Sequence, residues 1–174
     1  VKLRLVHHGR KPIRMEDILI KSEWVKEAHQ KSTDMGHINN SITRGAGNMA
    51  GFLGEIMVMN SLPRGCINNT YEYDIEFDDL RIDVKTKRTS VKPKDYYECS
   101  VSNPKQKCSH YIFTRILNDY SKGWILGAMP KKDYFKQATF LKKGDPNGDN
   151  GFIVKADCYN MIIRDLKPIN ELFS

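Results

Sequence analysis

The chain has 174 residues, 40% hydrophobic and 28% charged. That suffices for one domain with a sizeable core, and no apolar run approaches the roughly 18 residues a membrane helix needs. Its 28 Lys and Arg against 21 Asp and Glu give a net charge of +7, which suits a polyanionic partner such as nucleic acid without requiring one. Cys66, Cys99, Cys108 and Cys158 form no C-x-x-C pair, which excludes the common zinc and iron–sulfur spacings and leaves reduced thiols as the expectation. The stretch VKLRLVHHGR lacks the apolar core of a secretory signal, so a cytoplasmic location is expected.

Residues 14–32, RMEDILIKSEWVKEAHQKS, predict a helix, with Ile18, Val25 and Ala28 near one face. The polar, glycine-rich stretch 33–48 reads as a loop. Residues 48–61, NMAGFLGEIMVMNS, predict a second helix with Asn48 as its N-cap. It is apolar nearly all round and should be buried. Gly51 and Gly54 each cost roughly 1 kcal/mol against Ala there, and are tolerable where another backbone comes close.

The stretch YEYDIEFDDLRIDVKTKR (71–88) alternates and turns at Asp78 and Asp79, which predicts a hairpin. Tyr71, Tyr73, Ile75 and Phe77, then Leu80, Ile82, Val84 and Thr86, form its buried face. The other face carries Glu72, Asp74 and Glu76, then Arg81, Asp83, Lys85 and Lys87. A two-residue turn sets Glu76 opposite Arg81 and Glu72 opposite Lys85, two favourable pairs, with Asp74 opposite Asp83, an unfavourable one. Further strands are predicted at 96–101, 110–117 and 122–129, with NDYSKG turning between the last two, and a helix at 130–138 with Pro130 in its first turn. Residues 142–151 read as a loop, 152–158 as a short strand, and LKPINELF closes the chain. With no repeat and no linker, this is one α/β domain with a largely antiparallel or mixed sheet.

The like-charged pair has two explanations. One is a solvated polar face with one poor pair. The other is a divalent cation between the carboxylates, since a hard ion such as Mg²⁺ takes oxygen ligands and converts the repulsion into attraction. Lys85 points to the same side, where an ammonium can stabilise developing negative charge or position a water. Glu55 is the only charged residue of 48–61; a buried carboxylate needs a partner, either a cation side chain or the same metal.

These residues resemble the PD-(D/E)XK nuclease superfamily, in which an acid on a helix precedes an Asp on one strand and an acid-x-Lys on the next. GFLGE supplies Glu55, YD supplies Asp74 and DVK supplies Asp83 and Lys85. The resemblance covers about 50–88; Tyr73 stands where the family name has Pro, and Asp83 where Glu is frequent. It implies a restriction-endonuclease-like α/β core, with a central mixed sheet flanked by helices, in a single domain spanning 1–174. Within that span, 14–47 is an N-terminal helix and loop, 48–138 the catalytic core and 139–174 a C-terminal extension. It further implies Mg²⁺, with Mn²⁺ able to substitute, held by Asp74, Asp83, the Val84 carbonyl and Glu55. Lys85 would act on the water or the scissile phosphate. The expected activity is hydrolysis of DNA, probing toward restriction- or phage-type endonucleases, in host cytoplasm if the source is a phage; a homodimer is allowed.

From Lys85 to Lys107 seven Lys or Arg face two acids. Lys87, Arg88, Lys92 and Lys94, with Lys105 and Lys107, are candidate phosphate contacts, as are Arg44 and Asn48 at the start of the buried helix. A nucleic-acid-binding module without cleavage is the alternative, and a glycosidase a weaker one that leaves Lys85 unexplained. GAGNMA lacks the strand of a dinucleotide fingerprint, DPNGDNG misses the calcium-loop spacing, and His29, His37 and His110 share no metal spacing.

Overall fold

A computed structural model describes residues 15–36, 46–62, 66–67, 72–147 and 152–173. Arg44 and Tyr71 lie outside the described residues, as do parts of the two expected loops. The predicted first helix divides in two: Ile18–Leu19 is a short strand, β1, and the helix α1 runs Ser22–Gly36. Ile18 and Leu19 pair with Gly123 and Lys122, so a sheet edge captures residues whose helical spacing gave no warning of it. Helix α2 runs Ala46–Ser61. It begins two residues before Asn48, which therefore sits inside its first turn and is not the cap.

The chain continues through β2 (Cys66–Ile67), β3 (Ile75–Phe77), β4 (Leu80–Thr89), β5 (Glu98–Val101), β6 (His110–Leu117) and β7 (Lys122–Pro130). Then come α3 (Lys131–Gln137), with Pro130 as its N-cap, β8 (Thr139–Leu141), β9 (Pro146–Asn147), β10 (Phe152–Ile153) and β11 (Cys158–Ile162). The predicted strand 152–158 is thus only two residues long, and the pairing strand follows it. Two short 3-10 turns, Ile163–Asp165 and Ile169–Leu172, close the described chain.

This is a mixed α/β structure. Its main sheet has six strands in the order β1-β7-β6-β4-β3-β2, and β5-β11-β8 form a separate antiparallel sheet. All neighbours in the main sheet are antiparallel except β4 and β6, which run parallel from Ile82 beside His110 to Thr89 beside Leu117. The crossover between them carries β5 away to the small sheet. Residues 158–162, beyond the expected core, form the middle strand of that sheet.

Each face of the main sheet is covered. Helices α1 and α2 lie on one side, where Trp24, Ala28, Leu53 and Met57 pack against Ile116, and Val58 packs with Ile75, Ile82 and Val84. The small sheet and α3 lie on the other, around Tyr111, Phe113, Trp124 and Tyr134. The Tyr134 hydroxyl reaches two backbone carbonyls, Cys99 at 2.8 Å and Tyr159 at 2.9 Å, fastening α3 to β5 and β11. Helix α2 comes unusually close to β4: a Cβ on Gly54 would lie 2.0 Å from Thr86 Oγ1, whereas one on Gly51 would meet nothing within 4 Å. Of the two glycines, only Gly54 answers to a close approach.

Candidate active site

The hairpin adopts the expected register, with Phe77 beside Leu80, Glu76 beside Arg81 and Ile75 beside Ile82. Asp78 takes the left-handed conformation, φ 49°, that tightens its turn. One residue before Ile75 the pattern breaks. The Asp74 N–H donates to the Ile82 carbonyl at 2.9 Å, and the Val84 N–H donates to Asp74 Oδ2 at 2.7 Å. Asp74 is therefore not the ladder partner of Asp83; its carboxylate substitutes for a backbone acceptor where β3 leaves the sheet. The expected pair of Glu72 with Lys85 is also absent. Glu72 binds Lys107 at 2.9 Å, and the Lys85 ammonium lies 2.7 Å from Asp83 Oδ2.

The polar face of β4 is solvated at Lys87 but not at Asp83. Asp83 is only 4% exposed, beneath the segment that links β5 to β6. Gln106 Nε2 from that segment donates to Asp83 Oδ1 at 2.9 Å. Because Nε2 must donate to a carboxylate, the amide orientation is fixed by chemistry. Lys131, at the start of α3, holds the Gln106 carbonyl. Asp83 Oδ2 meets the Lys85 ammonium at 2.7 Å, while Gln106 Oε1 is buried with no hydrogen-bond partner.

Glu55 and Asp74 meet across the sheet edge. The close seat of Gly54 on Thr86 brings the next residue, half-buried Glu55, to hydrogen-bond Asp74. Burial first, then the negative charge of Asp74, push the Glu55 carboxyl up to about 8. Burial and the Asp83 charge push Asp74 up to about 6, against the Val84 N–H and Lys85, which favour its ionised form. Burial also raises Asp83, while Lys85 and Gln106 oppose the shift. Burial and the neighbouring carboxylates thus favour the protonated form of Glu55, the form that can donate to Asp74. Lys31, from α1, is a further cation acting on Glu55.

Among the described residues no three carboxylate, imidazole or thiol groups already converge as a metal-binding set. The donors nevertheless fit a hard divalent cation. They are oxygens, and their like charges oppose one another in a buried setting. A cation would replace the shared proton as the charge that holds them together.

The candidate phosphate contacts scatter. Lys92 is engaged by Asp17 at 2.9 Å, Lys107 by Glu72, and Lys94 lies over the Tyr96 ring. Arg88 lies over Tyr120, with an Nη2 contact to the Asn118 carbonyl at 3.4 Å. Asn48 is half-buried in α2. Lys87 is exposed and donates to Ser100 Oγ at 2.6 Å. The sequence reading missed Gln106, which sits in a segment with no periodic signal. It also missed Arg115, a lone cation in the apolar strand HYIFTRIL. That mismatch could have singled it out.

The raised carboxyls make a stability prediction. Between about pH 4.5 and 8 the folded chain keeps a proton on Glu55 that the unfolded chain releases, so the unfolded state binds fewer protons and stability falls as pH rises. In EDTA, Glu55→Gln, which keeps the hydrogen bond to Asp74, is expected to be more stable than wild type by about 2 kcal/mol at pH 8 and equal to it at pH 4.5. Thermal unfolding of the two proteins side by side checks this, and the comparison cancels His110, whose pKa burial lowers.

The chain matches no family model, and no curated protein is similar to it. The site therefore rests on its own chemistry.

Proposed function

We propose that this protein is a metal-dependent nuclease that hydrolyses DNA phosphodiester bonds as an endonuclease, on a restriction-endonuclease-like core formed by α2, β3, β4 and β6. The observation that carries this reading is the junction of Glu55, Asp74, Asp83 and Lys85 at one sheet edge, with the buried Asp83 carboxylate held between Lys85 and Gln106. Asp74 and Asp83, with the Val84 carbonyl and Glu55, would hold Mg²⁺ or Mn²⁺. The ion, when bound, supplies a polarised phosphate and a more acidic water. Asp74 is fixed by the Val84 N–H and Asp83 by Gln106, so both carboxylates are oriented before any ligand arrives. Lys85 is released from Asp83 to the scissile phosphate or the attacking water, where its positive charge offsets developing negative charge.

A second reading, a nucleic-acid-binding module without cleavage, draws on the 2.7 Å approach of Lys85 to Asp83, which balances those two charges without a metal. Incubation with linear, circular, branched and single-stranded DNA, in Mg²⁺ or in EDTA, separates the two. The nuclease is expected to cut in Mg²⁺ only; salt-sensitive binding in EDTA with no product in Mg²⁺ favours the module. Mn²⁺ is also expected to raise the melting temperature more at pH 8 than at pH 6, because it must displace the Glu55 proton. An equal rise at both pH values counts against the carboxylate site.

A further inference from the structure

Along β4 the side chains of Asp83, Lys85 and Lys87 follow one another on the face covered by the small sheet, two residues or roughly 6.6 Å apart. Their neighbours on the parallel strand β6 are Tyr111, Phe113 and Arg115. Lys87 therefore stands directly beside Arg115 in register, at the roughly 4.8 Å spacing of adjacent strands. Two like charges so placed repel. Among the described residues neither forms an ion pair with a carboxylate. The Glu98 carboxylate, whose Oε2 accepts from the Asn147 amide, acts on both cations electrostatically but forms a close ion pair with neither.

The two cations are held in place rather than dispersed. Lys87 donates to Ser100 Oγ, which itself donates to Asn160 Oδ1. Arg115 Nη2 donates to the Glu98 carbonyl at 2.9 Å, and the guanidinium lies 5.1 Å from the Tyr97 ring centre. That leaves Arg115 Nε buried with no hydrogen-bond partner. Burial, and for Lys87 the Arg115 charge beside it, lower the pKa of both groups. Lys87 remains exposed and Arg115 partly so, so an anion can reach them. The arrangement is the charge opposite of the Asp74–Asp83 cluster at the other end of the same strand face.

We infer that Lys87 and Arg115 form a subsite for a backbone phosphodiester of nucleic acid, next to the phosphate at Lys85. An oxyanion there offsets the repulsion of the two cations. Only the identity of the neighbouring phosphate as the scissile one rests on the nuclease reading; the subsite itself requires no cleavage.

The test is binding of a short fluorescein-labelled single strand and duplex in EDTA, by anisotropy, between about 50 and 200 mM salt. Lys87→Met keeps the stem and removes the charge. Arg115→Lys keeps a charge and removes the fork, and its melting temperature shows that it is folded. Lys87→Met is expected to weaken binding about tenfold and to lower the slope of log K against log salt by about one. Arg115→Lys is expected to weaken binding while leaving the slope near that of wild type. Wild-type affinity and slope in both variants would overturn the subsite, as would a wild type that binds neither DNA but is stabilised by inorganic phosphate. Asp83→Asn removes a negative charge beside Lys85 and is expected to bind more tightly than wild type in this assay. Its cleavage in Mg²⁺ reports on the nuclease reading separately: undiminished cutting sinks that reading and leaves the subsite standing.

Discussion

Asp83→Asn is expected to abolish DNA cleavage, by about a thousandfold or more, while leaving the protein as stable as wild type or more so. Asn retains the shape of Asp and can still accept the hydrogen bond from Gln106 Nε2. It removes the charge that the proposed metal needs, and the ion's contribution to polarising phosphate and water is worth several kcal/mol. Stability moves the other way because a 4% exposed carboxylate with a raised pKa is costly to keep ionised. The charge on Asp83 also raises Asp74, so removing it lets Asp74 ionise more readily. Lys85, partly exposed, can turn to water once its partner is neutral. Lys85→Met should reduce cleavage about a hundredfold or more. Plasmid nicking and thermal unfolding on the same preparations check both effects. Loss of activity accompanied by a large loss of stability would mean that Asp83 serves the fold rather than chemistry.

Gly54→Ala is expected to destabilise the protein by about 3 kcal/mol and to disable the site, although Ala is the better helix former by about 1 kcal/mol. The new Cβ would lie 2.0 Å from Thr86 Oγ1 and 2.9 Å from Thr114 Oγ1, two hydroxyls already bonded to one another at 2.8 Å. Helix α2 would have to retreat from β4, carrying Glu55 away from Asp74. Gly51→Ala, three residues earlier with nothing within 4 Å of the added carbon, should instead stabilise by about 0.5–1 kcal/mol. Thr86→Ala in the Gly54→Ala background should recover only part of the loss, because the Thr86 Cβ itself lies 3.0 Å from the added carbon. Denaturant unfolding of wild type and the three variants measures these differences. Similar stabilities for Gly51→Ala and Gly54→Ala would refute the close-contact explanation.

The two glycines show where local pattern ends. Both are expensive in a buried helix, and the sequence says that something must compensate; it does not say which one touches the sheet. Hairpin register is another case. Alternation and the two turn acids are local, and they predict the pairs from Phe77 with Leu80 back to Ile75 with Ile82. They do not predict that the Asp74 carboxylate captures the Val84 N–H, because that bond depends on where β3 leaves the sheet. Lys107 reaches Glu72 across 35 positions of sequence, and such a partner leaves no periodic trace.

What the sequence determined by itself was the content that short-range physics writes into short windows: helix α2, the β3–β4 hairpin, and strands β6 and β7. Period and turn chemistry specify these within about ten residues of chain. Only the tertiary structure decided that Ile18–Leu19 joins a sheet edge, that β4 and β6 run parallel, and that Asp83 on β4 is buried. Each depends on contacts between segments far apart in sequence, and burial in particular is a property of what lies opposite. Burial is what raises Glu55 and Asp74, and the parallel pairing of β4 with β6 is what sets Lys87 beside Arg115.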